Sequence, residues 1–409
     1  MDGAVSVSRV LKTLITRTTN LSYRGIDKPM KKFKLTAVAG LMAMVSGPVF
    51  AQSSVTLFGV LDEGINYTSN SGGKSAWQMS SIDLATSRFG LKGQEDLGSG
   101  LQAIFDLESG FNTESGTLLY GGRLFGYEAY VGLVSDSFGS LTLGRQFDSI
   151  VDTVAPLTAN GNWGGYLFSH PFDNDNTDGI YHVANSVKYT SPTFRGLSAT
   201  ALIGLSNQAG GFANNRAVSA GIKYNIGDFN LAAAYADLSN PGMTSGGSIA
   251  ADDANFSAKN QKTYGIGASY AIHGVTLAAV YTHVAIQSPV SSVFIGDLGL
   301  EGGHLNFDNA EVNVLYNFTP ALIFGGMYTY TRAISSIGGA STSTHWNQLG
   351  VQAQYLLSKR TSLYAQAVYQ KVSDSAASNV LGYAYIPGSA GVSSTSNQTV
   401  VRVAINHTF

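Results

Sequence analysis

The last eleven residues alternate, with Val401, Val403, Ile405, His407 and Phe409 on one face and Arg402, Ala404, Asn406 and Thr408 on the other. This two-residue period is that of a β-strand. One apolar and one polar side suits a wall with lipid outside and water within, although an edge strand of a soluble sandwich alternates in the same way. The pattern recurs along the chain, for example in TYGIGASY (263–270) and LIFGGMYTY (322–330). Seven tight turns rich in Gly, Pro, Asn, Asp or Ser separate such segments: Glu95–Gly100, Ser135–Ser140, Pro192–Gly196, Asn225–Asp228, Ala271–Gly274, Asn317–Pro320 and Leu357–Thr361. Seven hairpins give fourteen strands, and a first strand at 53–67 with a last at 399–409 makes sixteen, an even number as bacterial barrels require. Longer connections lie near 68–80, 109–121, 148–181, 205–215, 238–260, 285–303, 333–343 and 374–396. Short turns on one rim and long loops on the other predict periplasmic turns and external loops around an aqueous lumen. The expected fold is all-β, a 16-stranded antiparallel transmembrane β-barrel.

The stretch from Met30, MKKFKLTAVAGLMAMVSGPVFAQSS, has lysines, an apolar run from Leu35 to Ala51 and small residues before Gln52. It reads as a signal peptide over 30–51 with cleavage after Val49-Phe50-Ala51. The run is broken by Gly47-Pro48 and is short against the ~20 residues of a membrane-spanning helix. Residues 1–29 have no signal character and read as an upstream over-extension of the reading frame or a vestigial leader, so that 52–409 forms the barrel.

Removing residues 1–51 takes away 8 of the 24 Lys and Arg and 2 of the 26 Asp and Glu, leaving 16 against 24 and a net charge of −8. Such a chain offers no basic patch to nucleic acid. There is no cysteine, hence no disulfide framework or thiolate metal site. The seven histidines show no metal spacing, and DNDNTDG (173–179), set to an EF-hand frame by its glycine, has Asn185 where a Glu is needed. No metal, cofactor or nucleophile motif emerges, and no enzyme is expected. Tyrosines recurring at strand ends read as membrane-interface girdles. An exported, moderately apolar chain with no apolar run of 18 residues fits a barrel of the bacterial outer membrane, among its lipid and lipopolysaccharide.

Several segments resemble the trimeric general porins of β-proteobacteria, as found in Neisseria and Burkholderia relatives. They are SSVTLFGVLDEGI at the mature start, SRFGLKGQEDLGSGLQAIFDLESGF (87–111), AYVGL with SFGSLTLGRQFD (129–148), NSVKYTSPTFRGL (185–197), SKRTSLYAQAVY (358–369) and the final aromatic. They cover most of 53–409 in the family's order. The resemblance implies a homotrimer whose third loop folds inward as a constriction, with Phe409 as the signal read by the barrel assembly machinery. It implies an outer-membrane channel for passive diffusion of small hydrophilic solutes and ions. A substrate-specific channel for a sugar or organic acid, and a barrel with a blocked lumen, are the alternatives.

The residues point to the same loop. The 148–181 connection is far longer than an idle loop, so it is either functional or disordered. It carries Asp148, Asp152, Asp173, Asp175 and Asp178, with Trp163, Tyr166 and Phe168 to pack it. Opposite, parity puts Arg88, Gly90 and Lys92 on the lumen side of the second strand, and His182, Ser186 and Lys188 together on the sixth. Acids facing bases would set a transverse field in the narrowest part of the pore, with Arg88, Lys92, Lys188 and Arg402 hydrated on the wall. The resemblance implies arginines where Tyr127 and His182 stand, while Arg123 and Arg145 remain nearby. Plain parity groups Arg145 with Leu141 and Leu143, a conflict that a bulge or a subunit interface would resolve. Weak ion selectivity near neutral pH is expected, moving towards anions as His182 gains a proton.

Overall fold

The computed structural model describes residues 54–374 and 380–409, so the expectations for the segments 1–29 and 30–51 lie outside the described residues. Sixteen antiparallel strands form one closed sheet: β1 (Ser54–Ser71), β2 in two segments (Lys74–Ser80 and Arg88–Gly98), β3 (Leu101–Gly110), β4 (Glu128–Ser135), β5 (Gly139–Gln146), β6 (Val183–Thr190), β7 (Leu197–Gly204) and β8 (Arg216–Ile226). The others are β9 (Phe229–Ser239), β10 (Phe256–Ile272), β11 (Val275–Ser292), β12 (His304–Asn317), β13 (Leu322–Ile337), β14 (Ala340–Leu356), β15 (Thr361–Asp374) and β16 (Asn397–Thr408). Each strand pairs with its sequence neighbours, and β1 pairs with β16 from Val60↔Thr408 to Thr68↔Val400. Just beyond, Gly59 and Phe409 exchange both backbone hydrogen bonds, at 3.1 and 3.0 Å.

All seven expected turns fall between strands. Two expected loops do not exist as loops: β1 and β2 stay paired to Gly72-Gly73, and β13 and β14 to Gly338-Gly339. Both Gly pairs have positive φ at successive residues, 59° and 95°, then 58° and 83°, which is the two-residue turn whose twist matches that of the strands it joins. Alternation holds along the wall. On β16 Val401, Val403 and Ile405 are exposed while Arg402 is fully buried.

The lumen is filled unevenly. Loop 3 enters it behind a short helix, α1 (Ser149–Thr153), whose first turn is capped by Asp148 accepting from the Ile150 and Val151 amides at 3.0 Å each. Ala159, Trp163, Leu167 and Phe168 then pack on Met327, Val368 and Val400 of the wall. The wall makes room by glycine: a side chain at Gly325 would collide with the Trp163 ring, and one at Gly350 with Phe168. Further on, Phe172 joins Phe256, Val284, Phe307 and Trp346 from β10–β14, together with Leu298, Leu300, Leu381 and Ala384 from two other loops. Burial of this apolar surface, at ~25 cal/mol per Å², holds the loops against the β10–β15 side. The open space lies mostly beside β2–β8, with a further cavity of about 330 Å³ reaching β9–β11.

Candidate functional site

On the open side the strand period aims polar side chains inward. Arg88 Nε donates to Glu108 Oε2 at 2.6 Å, and its guanidinium lies 4.4 Å from the centre of the Tyr127 ring. Lys92 is exposed, with Nζ 4.6 Å from the Phe58 ring centre, and stands opposite Asp106 in the ladder. Asp152 on α1 pairs with Lys188 at 2.8 Å, and its carbonyl accepts from Lys223 Nζ at 3.2 Å. Asp178, with Arg88, Asp83, Tyr127 and Phe147, lines a cavity of about 240 Å³ between loop 3 and the 81–87 segment. That segment interrupts β2 because Asp62 captures the Leu84 amide at 2.7 Å and Ser87 bonds Asp62 through both its hydroxyl proton and its oxygen. Towards the turn rim a second cavity, about 570 Å³, is lined by Glu128, Tyr130, Asp152, Lys188, Thr200 and Lys223 among others.

The other loop acids face inward to the loop itself. Asp148 caps α1 and accepts from the Tyr181 hydroxyl at 2.7 Å; burial pushes its carboxyl up to about 6. Asp173 accepts from the Asp178 amide at 3.0 Å, and burial with Asp175 nearby pushes it up to about 7. Asp175 touches His170 Nδ1 at 2.7 Å, and the opposite ring nitrogen meets Glu311 Oε2 on β12 at 3.1 Å, all fully buried. Burial alone would lower the imidazole, but the Asp175 and Glu311 carboxylates outweigh it and hold it at about 10. His170 is therefore a cation at neutral pH, and it clamps the loop to the wall. Burial opposes the Asp175 charge, yet the imidazolium keeps that carboxyl below its usual range.

The chain matches the Gram-negative porin family over residues 36–375. It belongs to the Gram-negative porins. It is 31% identical over 387 residues to an outer membrane porin protein of Bordetella pertussis, covering 84% of this chain and 94% of the relative. It is 28% identical over 396 residues to outer membrane porin protein 32 of Delftia acidovorans, covering 93% and 100%. Among solved structures, the anion-selective porin from Comamonas acidovorans superposes with a TM-score of 0.66 at 22% identity, over 88% of this chain and 100% of that one. That likeness shows the fold. This porin is a general channel of the bacterial outer membrane, and family and fold point to a channel rather than an enzyme.

Within the porin, His182 sits differently from what parity gave, and Arg145 and Arg123 pair with acids outside loop 3. His182 is fully buried among Tyr120, Tyr127 and Phe147, with ring centres 4.4–5.3 Å apart and both nitrogens unpartnered among the described residues. Gly144 pairs with Ser186 but Gln146 with Val183, so β6 carries one extra residue, and Asn185 takes a φ of 53° there. A bulge of this kind swaps faces, which separates His182 from Ser186 and Lys188. Burial first, then Arg145, Arg123 and Arg88, push the His182 imidazole well below its ordinary value. It stays neutral, which removes the basis for pH-dependent anion preference. Arg145 keeps its parity on β5, where Thr142 still meets Gln146, and is buried because other loops cover it: Nη2 lies 2.8 Å from Asp253 Oδ1, and Nε donates to the Gly126 carbonyl at 2.6 Å. Arg123 binds Asp252 at 2.9 Å, in the 240–255 loop, and not an acid of loop 3.

Arg402, expected to be hydrated, is fully buried between Asp83 at 2.7 Å, Asp62 at 3.4 Å, Asn66 and the Tyr364 hydroxyl. It ties the β1–β16 seam to the 81–87 segment. Sequence reasoning passed over Asp83, Asp106, Glu108, Glu128 and Lys223. The signal for two of them was present, since Asp106 and Glu108 alternate with Phe105 and Leu107 on β3 and share the register of Lys92 and Gly90.

Proposed function

We propose that small hydrophilic solutes and ions cross by passive diffusion through the β2–β8 side of the lumen, with loop 3 as the size filter. The observation that carries this is the unequal filling: aromatic loops occupy the β10–β15 side, while the opposite side keeps two polar cavities bordered by charges of both signs. Arg88 and Asp178 are the constriction pair in this reading, with Lys92, Lys188 and Asp152 on the approach. The Comamonas neighbour is named anion-selective, but here Arg88 and Lys188 each have a carboxylate within 2.8 Å. Selectivity is therefore weak. In a planar bilayer the protein should give ohmic conductance with a reversal potential near zero under a salt gradient. Saturation of the current by one sugar or organic acid would replace this with a specific channel, and negligible conductance would mean a plugged barrel.

A homotrimer is part of the proposal. Exposed large side chains on β1, β4, β5 and β16 are aliphatic, such as Leu57, Val131, Leu133, Leu141, Leu143 and Val403, whereas those on β9–β15 include Tyr264, Tyr281, Tyr316, Phe324, Tyr330 and Tyr369. Lipid-facing walls carry aromatic belts, so the aliphatic sector suits subunit contact. A solved structural neighbour, an outer membrane protein of Vibrio cholerae, is described in a trimer form. An SDS-resistant band that collapses to the monomer on boiling is the expected result, and a monomer in native detergent would contradict it.

A further inference from the structure

The outer wall of β13–β15 changes character along the strands. Near the middle of its length β14 presents Leu349 and Val351, both exposed. The register sets Tyr328 and Tyr369 on either side of Leu349, and one step towards the loop rim it sets Tyr330 and Lys371 on either side of Asn347. One step further Arg332 stands opposite His345. Exposed tyrosines on a barrel wall mark the edge of the hydrocarbon, so Arg332 and Lys371 stand at headgroup level on the external side. Both are exposed, and neither forms a hydrogen bond or ion pair with a carboxylate among the described residues; Lys371 Nζ donates to Ser396 Oγ at 2.9 Å. Asp308, opposite Arg332 on β12, is already engaged by the Tyr281 hydroxyl at 2.7 Å and by His283 Nδ1 at 2.8 Å. Asn347 Oδ1 accepts from the Tyr328 hydroxyl at 2.6 Å, which leaves its amide nitrogen to donate outward.

Resting on the reading above that β9–β15 face lipid while the aliphatic sector meets other subunits, we propose that Arg332, Asn347 and Lys371 bind a phosphate of lipopolysaccharide in the external leaflet, with its acyl chains over Leu349 and Val351. Two strand intervals of ~4.8 Å and one two-residue step of ~6.8 Å put about 12 Å between the Arg332 and Lys371 α-carbons. Side chains extended from both ends close that gap onto one anion, and Asn347 lies between them. The charges favour an anion, and the order along the strand favours one carried by a lipid: its phosphate meets the cations at headgroup depth while its chains meet the apolar wall directly beneath. Bound lipid then fixes the depth of each subunit in the leaflet.

The test takes delipidated trimers in detergent and adds bisphosphorylated lipid A, the same lipid A after removal of its phosphates, or inorganic phosphate together with lipid A. Native mass spectrometry reads subunit number and bound lipid at once. Lipid A should be retained at least fivefold more strongly than its dephosphorylated form, and Arg332→Gln and Lys371→Gln should each weaken it about fivefold, as one cation at an anionic lipid surface gives. Equimolar inorganic phosphate should leave lipid A bound. Equal retention of the two lipids by the unmodified protein, or undiminished retention of lipid A by the double variant, would overturn the site. Displacement by equimolar phosphate would overturn the assignment to a lipid. A monomer that still prefers lipid A would keep the site and overturn the subunit reading, whereas a trimer indifferent to lipid A would overturn the site alone. Because the two lipids are compared on the unmodified protein, a variant that fails to assemble does not shield the inference.

Discussion

From β10 to β15 inward positions carry Phe256, Val284, Phe307, Ala333, Trp346 and Val372; from β2 to β8 they carry Arg88, Lys92, Asp106, Glu128, Lys188 and Lys223. Both walls obey the same two-residue period, and both show an apolar face to the outside. The difference lies in what covers the inner face. On the first side the cover is protein, so the wall has the composition of a core and offers glycines at the points of closest approach. On the second the cover is water, so the wall carries charges, among them the pairs Arg88–Glu108 and Lys188–Asp152. A barrel of this size thus divides its interior into a half that holds the filter and a half that conducts.

The comparison breaks most severely if the clamp on the packed side is cut. Glu311→Ala leaves a buried imidazolium with one carboxylate instead of two, and should cost about 3–5 kcal/mol, read as a lower denaturant midpoint together with noisy, enlarged conductance. A midpoint within error of the unmodified protein would show that the apolar contacts alone hold loop 3. Next comes crowding: Gly325→Leu drives into the Trp163 ring and should cost about 1–3 kcal/mol. Ser198→Leu, beside the open cavity, should stay within about 0.5 kcal/mol. Equal losses at the two sites would erase the distinction between the halves.

Smaller effects concern charge. Arg88→Ala should move the permeability ratio towards cations by about twofold, and Tyr127→Arg towards anions by a similar factor, judged by reversal potential. His182→Arg should instead lower stability with little change in selectivity, because that position is an aromatic cage rather than a channel wall. The pH response follows from the clamp. His170 is raised from its unfolded value of 6.5 to about 10, so its contribution is fully present below pH 6.5 and is lost as pH rises through 10. Conductance noise should grow as pH rises through the alkaline range, and noise unchanged once pH passes 10 would show that the His170 charge does not hold the loop.

Strand number and turn positions were legible because each depends on local period or turn chemistry, whereas the inward fold of loop 3 came from the resemblance and its length marked only an unusual loop. Hairpin extension past the expected loops was legible in principle from Gly72-Gly73 and Gly338-Gly339. The fate of the loop acids was not. Asp175 is spent on His170 and Thr282, the latter 107 residues away, and His170 on Glu311, 141 residues away, and nothing in the local pattern marks which carboxylates a fold will satisfy internally. His182 was misplaced by a single inserted residue on β6, since parity counting carries any such error to every position beyond it.

The backbone exchange between Gly59 and Phe409 has a kinetic meaning. Strands β1 to β15 pair locally, yet the sheet keeps two open edges until the last residues meet the first strand, across a separation such as the 340 residues between Arg402 and Asp62. Loop entropy makes this encounter the slow one, and until it occurs the molecule is a long sheet with two unpaired edges, the form most prone to join another chain. Removing Phe409 should therefore act less on the finished barrel than on the time spent open, and pulse-labelled chains lacking it should accumulate as aggregates while those that do close show near-normal thermal resistance.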